Sequence, residues 1–209
     1  MSMDRFYKTL GIVLKKRNWR EDDRLFSIFT ENFGRVEALA VGARKIKSKL
    51  AGHLAAPGII EFVFVAGRLQ KRITHACVRR IWPMRDEADH QFWHCFTELL
   101  DKFSHEEKDE RLWRLAMRFF ERLTGVNGHG SKKLFLNLFI VKMLAVLGYD
   151  ILKAKKSEKL AGIFLKLSRV PAHASVKITT AENDYLFQSL RRYLMFVGEK
   201  PIKSLDYIG

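Results

Sequence analysis

A small β-barrel followed by an all-helical domain is the α+β architecture that this 209-residue sequence predicts, and three observations predict it. The first eighty residues carry short alternating apolar patterns separated by turn residues. The period changes to that of a helix after Trp82-Pro83, and the basic excess is concentrated before the change. A residue preceding proline is driven away from helical angles. The boundary is therefore placed there, with a barrel domain over residues 1–82 and a helical domain over 83–209.

The first strand is read in LGIVLKKRNW, where Leu10, Ile12 and Leu14 share one parity and Val13, Lys15, Arg17 and Trp19 the other, as a strand with one buried and one wet face requires. DRLFSIFTENFGRVEALAVG supplies a second strand, a turn around Asn32-Phe33-Gly34, and a third strand in which Val36, Ala38 and Ala40 lie on one side. A basic loop follows, VGARKIKSKLAGHL, with Arg44, Lys45, Lys47 and Lys49 packed into six positions. After Pro57-Gly58, IIEFVFVAGRLQKRITHACVRRIW gives two more strands that meet at Ala66-Gly67. Five strands with one longer connection, between the third and the fourth, suit a small barrel.

Beyond residue 83, Phe92, Phe96, Leu99 and Phe103 recur at three and four. Ser104 and Glu107 fit a capping box for a second helix, whose inner face would be Leu112, Leu115, Phe119 and Leu123. TGVNGHGS interrupts the chain. A long apolar helix is expected from about residue 132 to 147, stopped at Gly148, then a shorter one over 157–168 and a last one over 181–197 ending near Gly198. The stretch LFLNLFIVKMLAVLGY contains Asn137 and Lys142 and is shorter than the roughly 20 apolar residues of a bilayer span, so it reads as a buried helix. No export leader is recognisable, which makes a cytoplasmic location the expectation.

The formal net charge is +15, and it is unevenly placed. Residues 1–80 hold 17 lysines and arginines against 7 acidic residues, a net of +10, while the remainder hold 21 against 16. Such asymmetry suggests a surface for nucleic acid or anionic lipid. On a barrel, Lys15, Arg17, Arg24, Arg35, Arg44, Lys45, Lys47, Lys49, Arg68, Lys71 and Arg72 are the candidate phosphate contacts, and Trp19, with Tyr7 behind it, is the candidate for stacking on a base. No phosphate-cradling GxxxxGK[ST] and no HExxH is present, and no nucleophile stands beside a base, so no enzyme and no cofactor is expected. His90, His94 and Cys95 stand close in sequence, yet an amphipathic helix surface accounts for them better than a metal does. Asp22 and Asp23 stand beside Arg24 and read as turn or ion-pair residues. With only Cys77 and Cys95, widely separated, neither a disulfide framework nor a paired CxxC zinc site is expected.

The residues from Gly11 to Leu54 resemble the amino-terminal barrel of the RecO family of bacterial recombination mediators. The likeness rests on Gly11, Val13 and Leu14, on Asp23-Arg24-Leu25, on Thr30 and Gly34, and on Ala40, Gly42, Arg44, Ser48 and Leu50. VLGYD (146–150) and GEKPIKS (198–204) resemble the family's helical core and carboxyl end. The resemblance implies an OB-fold barrel followed by a helical domain, binding of single- and double-stranded DNA, annealing of complementary strands, and work alongside RecR and the single-stranded DNA-binding protein. It also implies an apolar pocket flanked by cations for that protein's acidic tail, for which Arg118, Arg122, Lys132 and Lys133 are candidates. The chain departs from the family in three ways: it is short, it has no cysteine between Asp150 and His173 where many members carry a four-cysteine zinc motif, and it has Arg20 where a glycine is common. Hence no metal is expected. An RNA-binding module and a basic protein-interaction scaffold are the alternatives that the residues leave open.

Overall fold

The computed structural model describes residues 6–67, 70–125, 128–149, 162–163, 167, 178–198 and 201–208. They gather into two compact units, Met1–Pro83 with Thr97–Glu110, and Met84–Phe96 with Arg111–Gly209.

The first unit is built on five strands, β1 (Phe6–Trp19), β2 (Asp23–Thr30), β3 (Gly34–Ala40), β4 (Gly58–Ala66) and β5 (Lys71–Ile81), with helix α1 (Lys49–Ala55) between β3 and β4. They close in the order β1-β2-β3-β5-β4, with β3 and β5 parallel and β1 antiparallel to both β2 and β4. That is the connectivity of an OB-fold barrel. Phe26, Ile28, Val36, Ala38, Ala40, Ile60, Phe62, Phe64, Ile73 and Ala76 fill it. The shared parity of Val36, Ala38 and Ala40 is therefore the inward face of β3.

The inward residues of β1 differ from the sequence expectation. The ladder slips between Val13 and Lys15, so the extra residue changes the parity halfway along the strand. Before the slip, Tyr7 and Val13 pack on the barrel core, and a Cβ on Gly11 would stand 2.6 Å from Ile28 Cγ2, so Gly11 also faces inward. Ile12 lies on the opposite face beside Phe29, and both are fully buried. After the slip, Lys15 and Arg17 share the outer face with Ser27 and Leu25.

The β2–β3 turn is fixed by Thr30, whose hydroxyl accepts from the Phe33 N–H at 2.9 Å and donates to the Gly34 carbonyl at 2.8 Å. Gly34 has φ +62°, and a Cβ there would come within 2.2 Å of the Glu107 carbonyl oxygen. Glycine is needed for both reasons. Helix α1 was not expected from the sequence, which reads this stretch as loop. Ser48 caps it by accepting from the Ala51 N–H, and Leu54 plugs the barrel.

Helix α2 (Glu87–Phe103) and α3 (Glu110–Thr124) follow. The expected capping box at Ser104–Glu107 is not formed, because α3 starts only at Glu110. The intervening chain is held to β3 instead, the Arg35 N–H donating to the His105 carbonyl at 2.7 Å. In the second unit, α4 (His129–Val146) is apolar on nearly every side and buried, and it ends at Gly148, with φ +82°, where the Gly148 and Tyr149 amides return to the Ala145 and Leu144 carbonyls. Helix α5 (Thr180–Val197) opens on a capping box between Thr179 and Glu182. It is fastened to α4 by Asn137, which donates to the Asn183 side chain at 2.8 Å. The helix expected over 157–168 lies almost wholly outside the described residues, as does most of the segment from Asp150 to His173. Among the described residues no helix is long and apolar enough to cross a membrane.

Candidate nucleic-acid interface

One end of the barrel collects the β1–β2 turn, the chain leaving β3 and the start of β5. The registers fix this: Trp19 pairs with Asp23, Arg24 with Ala40, and Lys71 and Arg72 with Ala38 and Leu39. Arg24, Arg44, Lys45, Lys47, Lys49, Lys71 and Arg72 therefore share one rim. Strand pairing, rather than nearness in sequence, brings Lys71 and Arg72 to the basic loop.

The basic loop is braced against the β1–β2 turn. Arg44 donates from Nη1 to the carbonyls of Arg20 (3.2 Å) and Glu21 (2.5 Å), and its N–H donates to the Asp22 carbonyl at 2.9 Å. Lys45 Nζ stands 3.3 Å from Asp22, and the Gly42 N–H donates to the Asp23 carboxylate at 2.8 Å. Asp22 and Asp23 thus serve the turn, as the sequence suggested. Arg44 holds the loop in place, and Lys45 shares its charge with an exposed carboxylate. By contrast Lys15, Arg24, Lys47, Lys49, Lys71 and Arg72 make no ion pair with any described residue.

Arg20 occupies the left-handed region, with φ +54°. A Cβ in that conformation costs roughly 1 kcal/mol, and glycine avoids the cost. The expected result for Arg20→Gly is a gain of about 1 kcal/mol in a denaturant titration, because the side chain is exposed and the Arg44 bonds go to backbone carbonyls.

Trp19 is 37 % exposed on the outer face, with the Arg17 guanidinium 5.9 Å from its ring, and Arg17 also pairs with Glu37 at 3.5 Å. Tyr7 is no stacking residue: it lies flat on Phe64 and edge-on to Phe33 inside the barrel. Arg35 lies at the far end of β3, about 17 Å from the rim at strand rise. Its Nη1 donates to the Asp101 carbonyl at 2.6 Å, and Ser27 Oγ donates to the Asp101 carboxylate at 3.4 Å. That end of the β2–β3 face is covered by residues 101–107 of the same unit. Arg68 lies outside the described residues.

On the second unit, a small, half-open pocket is lined by Leu115, Arg118, Phe119, Arg122, Phe135, Leu138, Phe139 and Lys142. Arg122 lies 5.7 Å over the Phe135 ring. Burial, together with the neighbouring charge of Arg118, pushes the Lys142 ammonium below its ordinary pKa. An apolar floor with three cations around it fits an acidic, hydrophobic peptide end. Arg118 and Arg122 thus belong to one site, and Lys142 joins them although its sequence neighbourhood reads only as buried helix.

Lys132 and Lys133 do not belong to it. Both are buried: Lys132 lies 2.7 Å from Asp89 and 3.3 Å from Asp86, and Lys133 lies 2.8 Å from Asp184 with its ammonium 4.7 Å over Phe187. Their charges are met inside the unit, which corrects the expectation that they serve a partner's tail. His90 and His94 are exposed, Cys95 is a buried thiol, and among the described residues no three histidines, cysteines or carboxylates stand close enough to hold a metal.

Residues 1–80 match the family described as Recombination protein O N terminal. The chain is 41 % identical over 81 residues to the DNA repair protein RecO of Synechocystis sp., a match covering 39 % of this chain and 30 % of that protein. It is 30 % identical over 149 residues to the RecO of Chlorobium phaeobacteroides, covering 68 % and 56 %, and 25 % identical over 150 residues to that of Prosthecochloris aestuarii, covering 68 % and 55 %. In the longer matches the chain spans about half the length of these relatives.

Proposed function

The chain belongs to the RecO family of DNA repair proteins, and from that premise we propose that it binds single- and double-stranded DNA on the barrel rim and anneals complementary strands. The observation that carries the reading is the rim, where Arg24, Lys47, Lys49, Lys71 and Arg72 have no ion-pair partner among the described residues and Trp19 is exposed nearby. OB-fold barrels take oligonucleotides through the loops at this end and over the β2–β3 face. Here the Gly34 end of that face is covered by residues 101–107, so nucleic acid meets the barrel at the opposite end.

The chemistry is electrostatic. Two complementary strands repel through their phosphates, and cations that neutralise the backbones while leaving base edges free lower the barrier to pairing. No nucleotide hydrolysis is needed. The cavity around Arg118, Arg122 and Lys142 takes the acidic tail of the single-stranded DNA-binding protein, which brings the annealing surface to coated strands. RecR is the second proposed partner, and the cytoplasm is the proposed location.

The test is annealing of complementary strands, bare and coated with their cognate binding protein. Wild type accelerates both. Arg118→Glu with Arg122→Glu retains annealing of bare strands and loses about tenfold or more on coated ones, since reversing two charges at an anion site repels the tail. RNA oligonucleotides of the same sequence serve as competitors. Clear preference for RNA without annealing would overturn the DNA reading in favour of an RNA-binding module.

A further inference from the structure

We infer that Ile46 is a wedge that enters between neighbouring bases of nucleic acid held on the rim; the inference rests on the nucleic-acid reading above. Ile46 is wholly exposed, at 104 % of its reference area, and sits between Lys45 and Lys47. A lone exposed apolar residue is ordinary on a protein surface. Three observations set this one apart.

First, the residue is presented on a tight turn. The Ser48 N–H donates to the Lys45 carbonyl at 3.0 Å, which puts Ile46 and Lys47 at the two central positions, and the Lys45 N–H donates back to Gly42 at 3.1 Å. Second, the turn is anchored through Arg44, Lys45 and Gly42 to the β1–β2 turn, so Ile46 projects from a braced support. Third, it is not alone, because Val41 (57 % exposed) follows β3 on the same rim and Trp19 stands at the end of β1. Apolar and aromatic side chains thus stand among cations, of which Arg24, Lys47, Lys49, Lys71 and Arg72 pair with no described carboxylate.

That combination matches a recurring way of binding nucleic acid, in which cations hold the backbone while an aliphatic side chain is driven between base steps and unstacks them. Lys47 and Lys49, which have no ion-pair partner among the described residues, would take the phosphates flanking the opened step. Unstacking is useful to an annealing surface, because bases splayed from one another are free to test a second strand. The same side chain among cations would also suit insertion into an anionic membrane surface, which the test must separate.

The full chain is titrated with single-stranded and duplex DNA containing 2-aminopurine, whose fluorescence rises when it is unstacked. Wild type raises the fluorescence on binding. Ile46→Ser abolishes most of that rise and lowers affinity by about tenfold, with the salt slope unchanged, while Ile46→Met retains both. If Ile46→Ser binds DNA with wild-type affinity and wild-type fluorescence, the wedge is overturned and the rim reading stands. If no DNA binding is found for the wild type at low salt, the rim reading itself fails. Vesicles of anionic phospholipid form the other arm, and a loss of vesicle binding by Ile46→Ser with unchanged DNA binding also overturns the wedge.

Discussion

Replacing Lys47, Lys49, Lys71 and Arg72 together by alanine is expected to lower affinity for single-stranded DNA by several hundredfold at about 0.1 M salt, with the two proteins converging near 1 M. The magnitude comes from counterion release: each neutralised phosphate contributes about −0.7 to the slope of log K against log salt on a single strand. With about five cations engaged, the expected wild-type slope is roughly −3.5, and affinity should fall about a hundredfold between 50 and 200 mM salt. Removing four makes the slope shallower by about 2.8. These four are chosen because they make no ion pair with a described residue, so their loss leaves the melting temperature nearly unchanged. Arg44 is left in place for the opposite reason. Its guanidinium ties the basic loop to the Arg20 and Glu21 carbonyls, and its removal would confuse loss of charge with loss of the loop. Filter binding across a salt series measures the result. A folded variant with an unchanged slope moves the interface away from this rim.

The second large effect is on stability. Asp89 lies buried in the helical unit, 2.7 Å from Lys132 Nζ and 3.0 Å from Arg85 Nε, and Asp86 accepts from the Asp89 N–H at 2.8 Å at the start of α2. Lys132→Ala is expected to cost about 3–5 kcal/mol, because one partner of a buried pair is removed and the other is left under-compensated. Thermal unfolding by circular dichroism should show a midpoint lower by roughly 10 °C. Lys132→Met combined with Asp89→Leu recovers most of the loss, since burying neither charge avoids the desolvation that the pair must overcome.

The same pair sets an acid limit. Burial pushes the Asp89 carboxyl upward, but hydrogen bonds from Arg85 and Lys132 outweigh it and hold the pKa at about 2, below the ordinary 3.8. A depressed carboxyl stabilises the fold above its unfolded pKa and loses that contribution as pH falls through the folded value. The helical unit should therefore weaken as pH falls from about 4 through 2, and Asp89→Leu with Lys132→Met should lack that part of the dependence.

Much of the barrel was legible because strand patterning and turn chemistry are local. Thr30 and Gly34 mark the β2–β3 turn by needs that their own neighbours impose: a hydroxyl to bond the Phe33 amide, and a residue able to hold φ +62°. The change of period after Trp82-Pro83 was likewise visible. The inward residues of β1 were not, because a single extra residue at the Val13/Lys15 slip reverses the parity, and a slip is set by the partner strand. Helix α1 was missed for a related reason. Its seven residues are too few for a clear period, and it is fixed by the Ser48 cap and by Leu54 entering the barrel.

For the sites, the sequence by itself determined the excess of cations, its concentration in the first eighty residues, and the absence of recognisable catalytic motifs. Only the tertiary structure decided which cations can act together. It joined Lys71 and Arg72 to the basic loop through the parallel pairing of β3 with β5, and set Arg35 apart at the other end of β3 beside Asp101. It also buried Lys132 and Lys133 against carboxylates distant in sequence while bringing Arg118 and Arg122 to one pocket. The physical reason is that a charge is available to a partner only where the fold has not already neutralised it, and the neutralising carboxylate can come from any part of the chain.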